Sequence, residues 1–308
     1  MQTILGSGGA IGIPLAKELK SYTDTIRLVA RNPKQVNGDD ELFPADLTKA
    51  DEVAKAVAGS DIVYLTVGLE YNIKVWRRDW PLVMSNVINA CLAENSKLVF
   101  LDNVYMYAAT EVPHMTEEAL VDPPSEKGKV RAALQDMIFN AISKQGLQAV
   151  IARSADFYGP HAKTSPLGVT VVDKFQKKQK AFWQANVQKI HSFTFTLDAA
   201  RGTAMLGNTT DAYGQVWHLP TSSERRVGKD FIEMVAGEMD IAPRYFVMTG
   251  FMLSMAGLFV PIVRELKEML YQYDQDYFFD SSKFEKRFSF RPTLYADGIK
   301  QMVKVDGT

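Results

Sequence analysis

Lys127 and Arg131 stand four residues apart in PPSEKGKVRAAL (residues 123–134), where a helix would carry both cations on one face. Like charges at that spacing repel mildly, so the face is either solvated or holds an anionic ligand or a carboxylate between them. A desolvated lysine beside an arginine can lose its proton and take part in proton transfer. The guanidinium of Arg131 stays charged and can only donate hydrogen bonds. A second constellation is ILGSGGAIG (4–12), with Gly6, Gly9 and Gly12 at intervals of three, after a strand and before a helix. The first glycine permits the tight turn, the second lets backbone amides approach a pyrophosphate, and the third allows close helix–strand packing. The helix N-terminus adds free N–H groups and the positive end of its dipole, and Pro14 is tolerated in a first turn. Ser7, Ala10 and Ile11 complete this loop.

These groups need a sheet to position them. Strand-like runs at 2–5, 25–30, 41–43, 61–67, 97–102 and 147–154 alternate with helix-like runs at 13–22, 51–60, 80–95 and 129–144. That alternation predicts a parallel sheet covered by helices. The middle strands are aliphatic without strict alternation, as strands buried on both faces are. Thr48 and Asp51 have capping-box spacing, and Gly146 follows the helix that Lys144 closes. The second strand ends in LVARNP, with Arg31 and no carboxylate. An arginine there pairs bidentately with a ribose 2′-phosphate, which favours NADP over NAD, with NAD as the alternative. A solvated strand-end cation is the plain reading of the same residue.

Beyond residue 155 the alternation breaks. Gly159-Pro160 and Ser165-Pro166 punctuate a loop-rich stretch, 190–219 returns to strand and short helix, and 221–308 reads as mostly helical. We expect a dinucleotide-binding domain over 1–155, rejoined by 190–220. A smaller, mainly helical C-terminal substrate domain would be built from 156–189 and 221–308.

Composition narrows the function. The 308 residues are 46% hydrophobic and 23% charged with a formal net charge of −1, which gives no support to a nucleic-acid or acidic-membrane partner. Cys91 is the one cysteine, so no intrachain disulfide forms and a cytoplasmic location is the economical expectation. His114, His161, His191 and His218 lack metal-ligand spacing, and no metal is expected. Residues 245–263 run without a charge for the length of a membrane span. Gly250, Gly257 and Pro261 argue instead for a buried helix, a pocket wall or a subunit interface, the last of which would make a homodimer.

The chain resembles the extended short-chain dehydrogenase/reductase superfamily, the NAD-dependent epimerase/dehydratase family. The likeness runs through GSGGAIG (6–12), PADLT (44–48), LTVGLEY (65–71), LVFLDNVYMY (98–107), RSADFYGP (153–160) and FTLDAARG (195–202). It implies a Rossmann-type, doubly wound α/β fold. It also implies an adenine contact from Asp46 and Leu47, and cofactor contacts from Thr66, Val67 and Gly68. RSADFYGP resembles the turn at the nicotinamide end, which nominates Ala155 for the cofactor and Tyr158 for the substrate.

The family's catalytic pattern is a Ser/Thr, a tyrosine and a lysine four residues after it, and this sequence departs at all three positions. Asn103 stands where the serine would be, and Lys127 and Arg131 occupy the places of the tyrosine and lysine. Asn103 still binds a carbonyl, and Arg131 still holds ribose hydroxyls. Tyr105, Lys127 and Tyr71 are the substitute proton carriers to consider, with Tyr71 also near the substrate. Each has an ordinary structural reading, since tyrosines at sheet edges usually pack with the hydroxyl wet. The expectation is an NADP(H)-dependent oxidoreductase or epimerase-like enzyme on a small carbonyl or sugar-type substrate. The competing class is a regulator that binds NADP(H) without catalysis, and a membrane-associated reductase is a third.

Overall fold

The computed structural model describes all residues except 163, 257–260 and 307–308; for 254, 256, 261–262 and 305–306 it describes the backbone alone. Seven strands form one parallel sheet: β1 (Gln2–Leu5), β2 (Ile26–Ala30), β3 (Glu41–Pro44), β4 (Ile62–Leu65), β5 (Lys97–Asp102), β6 (Ala149–Arg153) and β10 (Val216–His218), counting β7–β9 below. Their order is β10-β6-β5-β4-β1-β2-β3. The order reverses between β4 and β1, and open α/β sheets bind ligands at the carboxyl ends of strands at such a point. Helices α1 (Gly12–Leu19), α2 (Ala50–Val57), α3 (Ile73–Glu94) and α4 (Glu126–Gln145) join these strands.

Both faces of the sheet are covered. Leu5, Val63, Leu98 and Phe100 on one face pack with α2, α3 and α4 side chains such as Val53, Trp80 and Leu134. Ile4, Leu28, Tyr64 and Val99 on the other pack with α1 and with α6 (Thr196–Gly207). This two-sided burial is why the strands read as continuous apolar runs.

The remaining elements are β7 (Asp156–Tyr158), α5 (Asp173–Gln176), β8 (Ala181–Gln184), β9 (Phe193–Phe195), α7 (Gly228–Glu238) and β11 (Tyr245–Met248). They continue with α8 (Gly250–Ala256), α9 (Pro261–Lys267), α10 (Ser282–Phe288) and α11 (Tyr295–Asp306). β8 pairs with β11 and β7 with β9, each in parallel. A separate core of Trp183, Phe193, Phe231, Tyr295 and Met302 fills this second region. Phe284 and Phe288, expected in the second region, pack instead on Trp217 at the sheet.

Several boundaries differ from expectation. Helix α3 starts at Ile73 rather than residue 80, because the Asn72 side chain caps Lys74 N–H. Thr48 does not cap α2: its hydroxyl donates to Asp46 Oδ1 at 2.8 Å. Gly146 ends α4 with φ of 75°. Residues 245–263 divide into β11, α8 and the start of α9, with 257–260 outside the described residues. Among the described residues no helix is long and apolar enough to cross a membrane.

Candidate active site

A cavity of about 1130 Å³ opens along the carboxyl ends of the sheet strands, and its walls collect most of the expected residues. At one end stand Gly6, Gly9, Ala10 and Ile11, with Gly8, which the glycine spacing did not single out. The three motif glycines do different work. A Cβ on Gly6, whose φ is 101°, would lie 2.5 Å from the backbone of Val67. One on Gly12 would lie 2.7 Å from the carbonyl oxygens of Gly6 and Ser7. Gly9 would meet only Gly6 O at 3.6 Å, and Gly8 nothing within 4 Å. Positions 6 and 12 are therefore glycine for the fold, while 8 and 9 leave backbone bare toward the cavity. Gly12 and Ser7 lie behind the wall, where the Ser7 hydroxyl donates to Val29 O at 3.4 Å.

Arg31, Asp46, Leu47, Thr66, Val67 and Gly68 line the same end. Arg31 is exposed; its charge acts on the Asp46 carboxyl, but among the described residues no carboxylate lies within ion-pair distance of it. Asp46 accepts from Thr48 N–H at 3.0 Å and from its hydroxyl at 2.8 Å. The bond from the Thr48 N–H does most to hold the Asp46 carboxyl below its ordinary range, so it stays an acceptor. Arg78 and Asp79, unflagged in the sequence, form a bidentate pair on the rim, with 2.6 and 2.8 Å contacts.

At the other end the cavity meets Asn103, Tyr105, Arg131 and Ala155. Asn103 Oδ1 accepts from Tyr105 N–H at 3.0 Å, which fixes the turn after β5. Gly128 lets the first turn of α4 lie against Tyr105 O, where a Cβ would overlap. The Tyr105 ring stacks on Trp76 at 6.2 Å. Burial drives the Tyr105 phenol well above its ordinary range, and the charge of Asp156 adds to this.

Arg131 is buried in an aromatic box, 4.1 Å over Trp80 and 4.8 Å over Trp76. Its Nη1 lies 3.4 Å from Asp102 Oδ1, and Arg153 Nε lies 3.6 Å from Asp102 Oδ2. Neither contact is a hydrogen bond, and Arg131 Nε and Nη1 and both Asp102 oxygens find no partner among the described residues. Burial raises the Asp102 carboxyl, and Arg131 and then Arg153 oppose that. Arg131 still lines the cavity as a residue, and a guanidinium there suits oxygen acceptors such as ribose hydroxyls.

Lys127, Tyr71 and Tyr158 do not line the cavity. Lys127 is fully buried on α4 and bonded to Glu265 Oε2 at 2.6 Å and Glu268 Oε1 at 2.5 Å, with Nζ 4.6 Å over the Tyr71 ring. The sequence suggested one anion between the two cations; instead Lys127 holds two carboxylates, and Arg131 shares Asp102 with Arg153. Burial holds the Tyr71 phenol far above its ordinary range. Tyr158 is core, packed on Phe195 at 5.3 Å and Tyr295 at 5.6 Å, with its hydroxyl unpartnered. It shares β7 with Asp156 and Phe157, which do line the cavity, but its own ring is enclosed by Phe193, Phe195 and Tyr295.

Asp156 was missed although it lies within RSADFYGP, where its carboxylate was the available signal. It binds His191 and Tyr273, which no local motif marks. His218, also unassigned, is buried with Nδ1 donating to Asp280 O at 2.8 Å and Nε2 facing the Tyr107 hydroxyl at 2.7 Å. Burial pushes its imidazole down to about 3, so it is a neutral core group. The Cys91 thiol is buried and pushed up to about 12. Among the described residues no group of acidic, histidine and cysteine side chains could hold a metal.

The fold is shared with several solved enzymes. The dTDP-glucose 4,6-dehydratase DesIV of Streptomyces venezuelae, a double mutant with NAD and DAU bound, matches with a TM-score of 0.81 at 14% identity, over 99% of this chain and 96% of that one. The UDP-glucuronic acid 4-epimerase of Bacillus cereus, in complex with NAD, matches with a TM-score of 0.81 at 16% identity, over 99% and 98%. The UDP-glucose 4-epimerase of Thermus thermophilus, also with NAD, gives 0.76 at 15%, over 99% and 98%. No curated protein matches by sequence. The family model for the NAD dependent epimerase/dehydratase family matches residues 3–218, and with the sheet order and glycine loop in place, the chain belongs to that family.

Proposed function

We propose that the protein is an NADP(H)-dependent oxidoreductase or epimerase/dehydratase-like enzyme acting on a small carbonyl or sugar-type substrate. The observation that carries this is one continuous cavity, running from the bare backbone of Gly8 and Gly9 to the polar cluster of Asn103, Tyr105 and Arg131. A bound nicotinamide dinucleotide would supply the hydride acceptor or donor. Gly9, Ala10 and Ile11 would hold its pyrophosphate, Asp46 and Leu47 its adenine, and Arg131 a ribose. Arg31, exposed and without a carboxylate partner among the described residues, would take a 2′-phosphate. Asn103 would bind the substrate oxygen. Tyr105, with its phenol held high, would donate a hydrogen bond there rather than release a proton. Tyr71 and Lys127 would support this wall from behind. The sugar-type substrate is suggested by the nucleotide-sugar enzymes that share the fold. The cytoplasm is the proposed location, with exposed Phe251 and Met255 as the contact surface of a homodimer.

Titration of NADPH and NADH by fluorescence, followed by turnover with UDP-glucose, dTDP-glucose and small aldehydes, tests the proposal. We expect NADPH to bind more tightly than NADH, and turnover with at least one probe. The absence of the Tyr–Lys pair favours a second reading, a dinucleotide-binding regulator. Tight NADPH binding with no turnover across the set would select it.

A further inference from the structure

The oxidoreductase reading needs a group that accepts a proton, and the familiar tyrosine is missing. The acidic and phenolic groups lining the cavity can be sorted by what holds them. Asp46 is tied to Thr48, Asp79 is bidentate with Arg78, and Glu70 sits on the exposed rim. Asp102 is enclosed between two guanidinium groups. Tyr105 keeps its proton. Asp156 remains.

Three distant segments converge on Asp156. β7 carries it out from the end of β6, and pairing with β9 sets Asp156 opposite Phe193. Two residues before Phe193, His191 is aligned with Tyr277 by an isolated bridge. His191 Nε2 lies 2.9 Å from Asp156 Oδ2, and the Tyr273 hydroxyl donates to the same oxygen at 3.0 Å. The imidazole is stacked against Tyr277 at 4.3 Å and Tyr273 at 4.6 Å, which fixes its plane. Exposure falls from 14% for the Asp156 side chain to 2% for His191, so the carboxylate meets the cavity and the imidazole stands behind it. Both hydrogen bonds fall on Oδ2, and neither uses Oδ1.

We propose that Asp156 is the proton-accepting group of this cavity, and that His191 positions its carboxylate and shares its proton. The proposal rests on the oxidoreductase reading above. In the step, the O–H bond of a substrate hydroxyl breaks, and its electron pair stays on the substrate oxygen. A new O–H bond forms at Asp156 Oδ1, and the negative charge passes from Asp156 to that oxygen. Asn103 and Tyr105 stand on the same wall as donors to it. His191 and Tyr273 hold Oδ2 throughout, so the carboxyl group keeps its orientation. The other titratable groups facing it are the phenols of Tyr71, Tyr105, Tyr271 and Tyr277, each of which the Asp156 charge pushes up, while Arg131 opposes this at Tyr105.

The test uses the full chain with NADPH as the binding probe, and UDP-glucose and dTDP-glucose with NADP⁺ as the turnover probes, the direction in which a substrate hydroxyl gives up its proton. Asp156→Asn should lower kcat by about 100-fold or more while NADPH affinity stays within about twofold, and the fall in kcat at low pH should vanish. His191→Gln should lower kcat by roughly tenfold, and Tyr105→Phe by less. An Asp156→Asn enzyme with near-normal kcat and an unchanged pH profile would overturn the assignment. A second readout needs no turnover. In the free wild-type protein, the ¹³Cγ signal of Asp156 and the ¹⁵N signals of His191 should move together through each titration step. An Asp156 step without a response at His191 would overturn the shared proton, and this also decides the matter if His191→Gln fails to fold. Wild type that binds NADPH yet turns over nothing defeats the oxidoreductase reading instead, and the NMR result then stands alone for the pair.

Discussion

The two ends of the cavity are built from different materials. At the glycine-loop end the protein offers mostly backbone, with Gly8 and Gly9 bare and Thr66–Gly68 beside them. At the Asn103 end it offers side chains held by burial, with Arg131 boxed by tryptophans, Asp102 between two arginines and Asp156 between His191 and Tyr273. A backbone site tolerates change in most neighbouring side chains, because the peptide group is common to all residues. A site made of buried charges is intolerant, since losing one member strands another in low dielectric. The first end can thus keep a family resemblance through changes of side chain that the second end would not tolerate singly.

Arg131→Ala should break the side-chain end most severely. It leaves Asp102 charged and under-compensated, at a cost of about 3–5 kcal/mol in urea unfolding. Arg131→Met combined with Asp102→Asn should recover most of that loss, and a single-variant loss below about 1 kcal/mol would show the charges to be uncoupled. His218 supplies a pH version of the same test. Its folded-state value, about 3, lies below the ordinary imidazole value, so the unfolded chain binds the proton more readily. This contribution is intact above about pH 6.5 and declines as pH falls toward 3, by up to roughly 4 kcal/mol. His218→Gln should therefore flatten the stability–pH curve in that window.

The backbone end should respond in binding rather than folding. Gly9→Val should leave Tm unchanged and weaken NADPH binding by about 50-fold, whereas Gly6→Ala should lower Tm through its clash with Val67. The smallest effect is expected for Arg31→Ala, with about a tenfold loss of NADPH affinity and none for NADH. Equal losses for both dinucleotides would remove Arg31 from the 2′-phosphate.

This contrast also explains how far the sequence was legible. The alternation of strands and helices follows from burial on two faces, and glycine spacing follows from backbone geometry, so both leave periodic marks. Helix α3 reads about two turns short in the sequence because Lys74, Arg77, Arg78 and Asp79 break up the apolar pattern of its first turns. The departure at Asn103, Lys127 and Arg131 was visible, because their positions are local to known segments. Their partners were not. Glu265 reaches Lys127 from 138 residues away, and His191 reaches Asp156 from 35. Tyr158 shows the reverse: it is a motif residue, yet its ring is enclosed by Phe195 and Tyr295, which lie far from it in sequence.

The carboxylates of α9 and the turn after it bear on modularity. Glu265 Oε2 accepts from Ile73 N–H at the start of α3, and Glu268 Oε2 accepts from Glu126 N–H at the start of α4, besides their bonds to Lys127. A chain stopped at residue 255 would keep the sheet, yet strand an interior ammonium and leave one N–H without its acceptor at the start of each of two helices. The halves cannot be swapped with those of a relative unless Lys127, Glu265 and Glu268 travel together. Two regions with separate hydrophobic cores are, by this clasp, one unit of inheritance.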